Sequence, residues 1–403
     1  MLRKRAAGAA GIGLIGLVTV LAGAASDLLP ERMNEVSRLV EEVRGRKFMR
    51  SVPASELQPE ELKKILRSKI NDGIPAAPDD YLASLVALGL IDPAPNLLDR
   101  LVDFYSSQVI AFYDPQPRRF FVVKGAEAQT GGDEGLAKNL IFSHELMHAL
   151  QDETLHLDER VKELKDDSDR STALQCLLEG EATVVMVRVA LKDIPGADDS
   201  VEDQLAPLMS AGSLERSNVP KDVPDYFVEQ LFFPYVDGTE FVRAALKKGG
   251  WAEVDRFWRN PPQSTSEILH GAPYPAPATG LLSESDRTPP AGRRLTYADT
   301  LGEWTLRFLL ERSLPKEEAA KAAEGWRGDR IAFFAGPRDT AYLWRIRFDG
   351  PATAARFEAA LRAARAKRPP ASPETITRAG ADVVVEAKGG TGAPAGAATG
   401  GKY

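Results

Sequence analysis

The chain is poor in residues that reveal chemistry. It carries one cysteine, Cys176, among 403 residues, so no internal disulfide can form and the cysteine count leaves the redox compartment open. Histidine is nearly as scarce, with four in all. Positive charge is in deficit, 51 Lys and Arg against 58 Asp and Glu for a formal net charge of −7, which argues against nucleic acid as the main partner. Long apolar runs are lacking beyond the first one, so the rest of the chain is expected to be soluble. That first run has the build of an export signal. Leu2-Arg3-Lys4-Arg5 is basic, Ala6 to Leu21 carry no charge, and Ala22-Gly23-Ala24 has the small-x-small shape of a cleavage site. Cleavage is expected near Ala24 or Ala25. The alternative is an uncleaved N-terminal anchor, since residues 6–25 are long enough to span a bilayer. No cysteine follows the run, which speaks against a lipoprotein.

Enough apolar material is present, 43% of residues, for a large core and one to three domains. Two of the four histidines fall in Ile141-Phe142-Ser143-His144-Glu145-Leu146-Met147-His148-Ala149-Leu150-Gln151-Asp152. Leu136, Leu140, Ile141, Met147 and Leu150 recur at near-helical spacing, so this stretch reads as a largely buried helix. On a helix, His144 and His148 share one face a turn apart, where two imidazoles can reach one zinc ion. Glu145 falls beside them as a base able to take a proton from water.

A third ligand must come from elsewhere. Leu177-Leu178-Glu179-Gly180-Glu181-Ala182-Thr183 lies in a second helical pattern, from about Ser168 to Leu191. Glu179 and Glu181 are about 200° apart on a helix, so only one of them can face a given metal. Cys176 lies one turn before Glu179 on the same face; it reads as a small core residue rather than a soft ligand.

With these residues in view, the chain resembles the gluzincins, zinc peptidases that carry His-Glu-x-x-His on one helix and a glutamate ligand on a later one. That glutamate often opens a Glu-x-x-Ala or Glu-Gly-x-Ala pattern. Glu179-Gly180-Glu181-Ala182 matches it, which implies Glu179 as the ligand and leaves Glu181 as a solvated helix charge. Many gluzincins carry an aspartate four residues after the glutamate, contacting a histidine ligand. Thr183 stands there in this chain, so the groups that orient the histidines must differ. Asp152, four residues beyond His148, is the candidate for that task. Zinc peptidases also need a donor for the oxyanion, often His or Tyr, and His270, Tyr235 and Tyr274 are the candidates. His156 reads as an ordinary loop or core histidine.

Other parts complete the organisation. Residues 26–108 read as an N-terminal helical lobe, with an amphipathic helix from Asp27 to about Arg46, a second opened by Pro59, and a third from Asp79 to Leu90. Val109 to Val123 reads as a β-hairpin with a Pro-containing turn. In gluzincins an edge strand before the zinc helix pairs with extended substrate, and the alternative here is an ordinary core hairpin. Gly131 to Glu134 is a loop into the motif helix, and Pro224 to Trp258 is aromatic and partly helical. Residues 271–295 read as a linker, 296–387 as a small α+β unit, and 388–403 as a Gly/Ala tail expected to be disordered. Within the C-terminal unit, Gly325-Trp326-Arg327-Gly328-Asp329-Arg330 reads as a turn.

Phe112-Tyr113-Asp114-Pro115, the motif stretch, Glu179 to Ala182, Phe233-Pro234-Tyr235 with Gly238, Ser264 to His270 and Gly325-Trp326-x-Gly328-Asp329 together are similar to a family of exported bacterial proteins, over roughly residues 30 to 365. Peptidase activity is inferred for that family from the same zinc motif. The expectation is therefore an α+β protein. Residues 109–270 form a mainly helical zincin-like catalytic domain with a small β-hairpin, followed by the small C-terminal unit. Zn2+ is expected on His144, His148 and Glu179, with Glu145 as general base and a peptide or protein as substrate. A zinc hydrolase acting on esters or other amides, and a non-catalytic protein with a structural or degenerate zinc site, are the competing readings.

Overall fold

In the computed structural model, the described residues are 29–125, 134–192, 194, 201–206 and 219–389. The expected export segment, residues 131–133 of the loop before the motif helix, and the expected tail beyond residue 389 lie outside them. The N-terminal part runs α1 (Leu29–Arg44), β1 (Ala54–Leu57), α2 (Pro59–Gly73), α3 (Pro78–Leu88), α4 (Leu97–Gln108), β2 (Ala111–Asp114) and β3 (Arg119–Val123). The helices of the site follow: α5 (Glu134–Leu155), α6 (Leu157–Glu163), α7 (Ser168–Leu191), α8 (Asp225–Arg259) and α9 (Thr265–His270). The C-terminal part comprises β4 (Arg294–Asp299), α10 (Gly302–Glu311), α11 (Lys316–Ala323), β5 (Trp326–Ala335), β6 (Thr340–Phe348), α12 (Pro351–Lys367), β7 (Glu374–Ala379) and β8 (Asp382–Ala387). The fold is α+β and mainly helical.

The helix α7 sits at the centre, and its sequence puts apolar residues on every side of it. Ser171 through Val187 are all buried, which is the expected fate of a helix without a polar face. Packed around it are α5, α8 and α1, with α9 and α10 near its N-terminal end. The helix α8 continues through Pro234 and breaks its helical geometry at Gly249 and Gly250. No described helix is long and apolar enough to cross a membrane.

The hairpin of β2 and β3 forms in antiparallel register, with Tyr113 opposite Phe120. A third strand joins it. β1 runs parallel to β3, with Ala54 opposite Phe120, giving the order β1-β3-β2. Within residues 26–108, β1 completes the hairpin's sheet, and α1 packs against α5 and α7. The segment Ala-Ser-Glu-Leu has no strand pattern of its own, so only its partner makes it a strand.

The C-terminal unit is an antiparallel sheet in the order β4-β5-β6-β8-β7. Here the sequence reading needs correction. Trp326 to Arg330 are the start of β5 and not a turn, with a pairing irregularity between Trp326 and Gly328. The two glycines made the stretch look like a loop, yet Gly328 (φ +141) lies against the backbone of Ala278, an approach that leaves no room for a Cβ. A single hydrophobic cluster runs from Met33 through Leu178 to Ala387, so the unit shares the core of the helical part.

Candidate metal centre

The helix α5 places His144 and His148 one turn apart, and its apolar positions Ile141, Leu146, Met147 and Leu150 are buried. That packing points both imidazoles at α7. There Glu179 meets them: its Oε2 is 3.0 Å from His144 Nε2 and 3.4 Å from His148 Nε2. The two Nε2 atoms are 3.1 Å apart. Two ligands of a tetrahedral zinc ion, each at about 2.0–2.1 Å, lie about 3.3 Å from one another. The three donor atoms thus already have the mutual spacing of three corners of such a site, and their chemistry suits zinc. Among the described residues they are the group able to hold a metal ion, and all three are buried. Neither Glu181 nor Cys176 belongs to it.

The charges are mutually dependent. Burial works to raise the Glu179 carboxyl, but His148 and His144 hold it down at about 2. Burial likewise opposes protonation of His148, yet Glu179 outweighs it and lifts His148 to about 9. At His144 burial prevails and lowers the value. Glu179 and His148 thus each favour the charged form of the other, while burial favours the neutral form of His144.

Glu145 lies next to this cluster and is fully buried. Its Oε2 accepts the backbone N–H of Tyr113 at 2.8 Å, and its Oε1 has no hydrogen-bond partner among the described residues. Burial pushes this carboxyl up to about 8, against the pull of His148 and of the Tyr113 N–H. Tyr113 is on β2, at the edge of the three-stranded sheet, so its N–H points away from β3 and toward α5.

The groups that orient the histidines differ from those expected. Asp152 does not hold a ligand imidazole: it accepts the Tyr113 hydroxyl at 2.9 Å and the Leu157 N–H at 2.9 Å. Burial, with the Asp152 carboxylate, keeps the Tyr113 phenol well above its ordinary range. Asp152 stands at i+4 from His148, but it is Gln151, at i+3, that meets the imidazole. Its Oε1 is 2.8 Å from His148 Nδ1. Its Nε2 donates to the Leu178 carbonyl at 3.0 Å and to Glu181 Oε2 at 2.9 Å. Glu181, expected as a solvated charge, is fully buried. Its Oε1 accepts Arg44 Nε at 2.6 Å and its Oε2 accepts Trp258 Nε1 at 2.8 Å. Thr183 stands where an aspartate is common, and both its Oγ1 and His144 Nδ1 are buried without partners among the described residues.

The oxyanion candidates separate. The buried Tyr235 stacks on His144, ring centroids 5.8 Å apart and 15° from parallel. His270 is engaged elsewhere. Its Nε2 is 2.9 Å from Glu303 Oε1 and 3.3 Å from Arg307 Nη2, and its ring stacks on Tyr274. These contacts join α9 to α10, so the structure brings neither His270 nor Tyr274 to the three ligands. His156 is exposed at the start of α6. Cys176 is buried, and its carbonyl lies against Gly238.

A family described as Domain of unknown function (DUF8575) matches residues 293–398. No curated protein and no solved structure matches the chain. The matched residues begin at the β4 strand, so α5 and α7, with every member of the cluster, lie outside them.

Proposed function

We propose that the chain is an exported zinc-dependent peptidase of gluzincin type. One observation carries the reading: His144, His148 and Glu179 converge with zinc-like spacing beside a buried carboxyl group, Glu145, one of whose oxygens has no partner among the described residues. Three protein ligands without a fourth among the described residues fit a catalytic site better than a structural one. Zinc held there would supply Lewis acidity toward water and the scissile carbonyl. Glu145 takes the proton of the attacking water on Oε1 and passes it to the leaving amine. The Tyr113 N–H fixes the other oxygen and so aims the carboxylate. Tyr235, stacked on His144, is the candidate to donate to the oxyanion. Export rests on residues 1–25.

The test is zinc content and turnover of quenched peptides for the parent and for Glu145→Gln. The variant is expected to keep one zinc per chain and to lose at least about a hundred-fold in rate, the lower range for a general base. Undiminished hydrolysis by Glu145→Gln would refute the mechanism. A second reading, zinc as a brace between α5 and α7, draws on the burial of all three ligands. Cobalt substitution separates the two: a small hydroxamate should perturb the spectrum of an open site and leave that of a brace unchanged.

A further inference from the structure

The side chain of Gln151 ends in an oxygen and an NH2 group of nearly the same shape, and either can face an imidazole. The choice matters for His148. An amide oxygen at Nδ1 accepts a hydrogen bond from Nδ1–H, which keeps the proton there and leaves the Nε2 lone pair of the neutral ring for a metal. An NH2 group at Nδ1 requires the lone pair there and puts the proton on Nε2, the atom that points at Glu179 and His144. In this chain the orientation is forced from behind. On the far side of the amide stand the Leu178 carbonyl at 3.0 Å and Glu181 Oε2 at 2.9 Å. Both are acceptors, so the NH2 group must face them and Oε1 must face His148 Nδ1, 2.8 Å away. Glu181 accepts Arg44 Nε at 2.6 Å and Trp258 Nε1 at 2.8 Å, so both of its oxygens act as acceptors here. Gln151 and Glu181 have no exposed surface, and Arg44 retains 1%.

We propose that Gln151 is a positioning residue that presets His148 as a metal donor, and that Glu181 and Arg44 form its anchor. The proposal rests on the zinc reading above. It makes the metal affinity of the centre depend on α1, a helix that supplies no ligand. A carboxylate is a common partner for the far nitrogen of a ligand histidine. At position 151 a carboxylate would lie against Glu181, and the two like charges would repel in a buried setting. Gln151→Glu is therefore expected to weaken the centre, where a simple orienting role would predict a gain or no change.

The experiment measures zinc affinity by chelator competition for the full exported chain and for Gln151→Leu, Gln151→Glu and Glu181→Gln, with the cobalt absorption spectrum of each. Unfolding of each metal-free variant is followed alongside. All three are expected to bind zinc about ten- to a hundred-fold more weakly than the parent, the usual effect of losing such a partner, with shifted cobalt bands. If Gln151→Leu and Gln151→Glu stay within about two-fold of the parent, Gln151 is not a positioning residue. If only Glu181→Gln stays there, the anchor is wrong. A parent that binds no zinc overturns the zinc reading itself, and this proposal with it. Should the variants fail to fold, the parent decides. With 15N-labelled histidine, its four histidines are few enough to resolve. Zinc-loaded protein is expected to show a slowly exchanging Nδ1–H on His148, in contact with the Gln151 side chain. Rapid exchange of that proton would overturn the assignment.

Discussion

Arg44 shows how a residue far from any motif can govern a site. It lies at the C-terminal end of α1 and reaches Glu181 on α7, 137 residues along the chain. Its guanidinium also lies between the rings of Trp251 and Trp258, 4.5 and 4.8 Å from their centroids, and pairs with Asp255. Arg44→Ala would leave Glu181 buried with no cation, which costs about 3–5 kcal/mol where such pairs have been broken. Arg44→Lys is expected to recover little, because a lysine has neither the planar stack nor the fork of donors. Urea unfolding of the two variants checks this. A loss of about 1 kcal/mol or less, the scale of an exposed pair, would mean that the pair is not buried in solution. Glu179 and Glu181 point different ways, as helix geometry requires. The side of α7 that faces away from the histidines meets Arg44 and Trp258 and not water.

At the scale of elements, the crossing of α7 and α8 depends on two glycines. A Cβ on Gly180 would strike the carbonyl of Gly238, and a Cβ on Gly238 would strike the carbonyl of Cys176. With hydrogens only at both positions, the backbones touch. This brings Tyr235 onto His144 while Glu179, one residue before Gly180, faces the imidazoles. Gly238→Ala is expected to force the helices apart, at a cost of about 1–3 kcal/mol or more, and to lower zinc per chain because Glu179 moves with its helix. Thermal unfolding and metal analysis of that variant are the measurements, and parent-like values in both would show that the helices are not so close. In the sequence Gly180 is part of a motif, but the reason for it is a neighbour 58 positions later.

At the scale of the whole molecule, a buried aspartate joins the C-terminal sheet to the helical part. Asp299 accepts the Ser168 N–H at 2.9 Å and the Ser168 hydroxyl at 2.6 Å at the start of α7. Within the C-terminal part, Asp329 accepts the N–H groups of Leu301 and Gly302 at 3.0 and 2.9 Å, and the indoles of Trp344 and Trp326. Deleting residues 293–403 is expected to abolish cooperative unfolding, because it removes both the joint and part of a continuous core. A sharp transition in the truncated chain, followed by circular dichroism, would count against a shared core. The joint also predicts a pH dependence. Burial, foremost, raises the Asp299 carboxyl to about 7, and Asp167 is raised to about 6 for the same reason. The folded state therefore holds these protons more tightly than the unfolded chain, whose aspartates titrate near 3.9. Their contribution to stability is full below about pH 4 and is lost as the pH rises toward 7. Asp299→Asn retains an acceptor for the N–H groups of Ser168 and Thr300 and cannot ionise. It should flatten the fall in urea midpoint between about pH 4 and 7, and an unchanged profile would remove Asp299 as its source.

Much of this protein is decided locally and was therefore readable in its sequence. The period of a helix alone puts His144 and His148 on one face with Glu145 beside them. The helical character of α5, the extent of α7 and the hairpin of β2 and β3 likewise follow from apolar spacing and turn residues. The mainly helical α+β class follows from the same patterns. Other features depend on which surfaces meet, and no local pattern carries that information. Only packing shows that β1 is a strand, that Trp326 to Arg330 extend β5, and that His270 belongs to the junction with α10. Packing also decides that Gln151 and not Asp152 faces His148. It turns Glu181 from a surface charge into a buried anchor, because the helix that carries it has no side left for water.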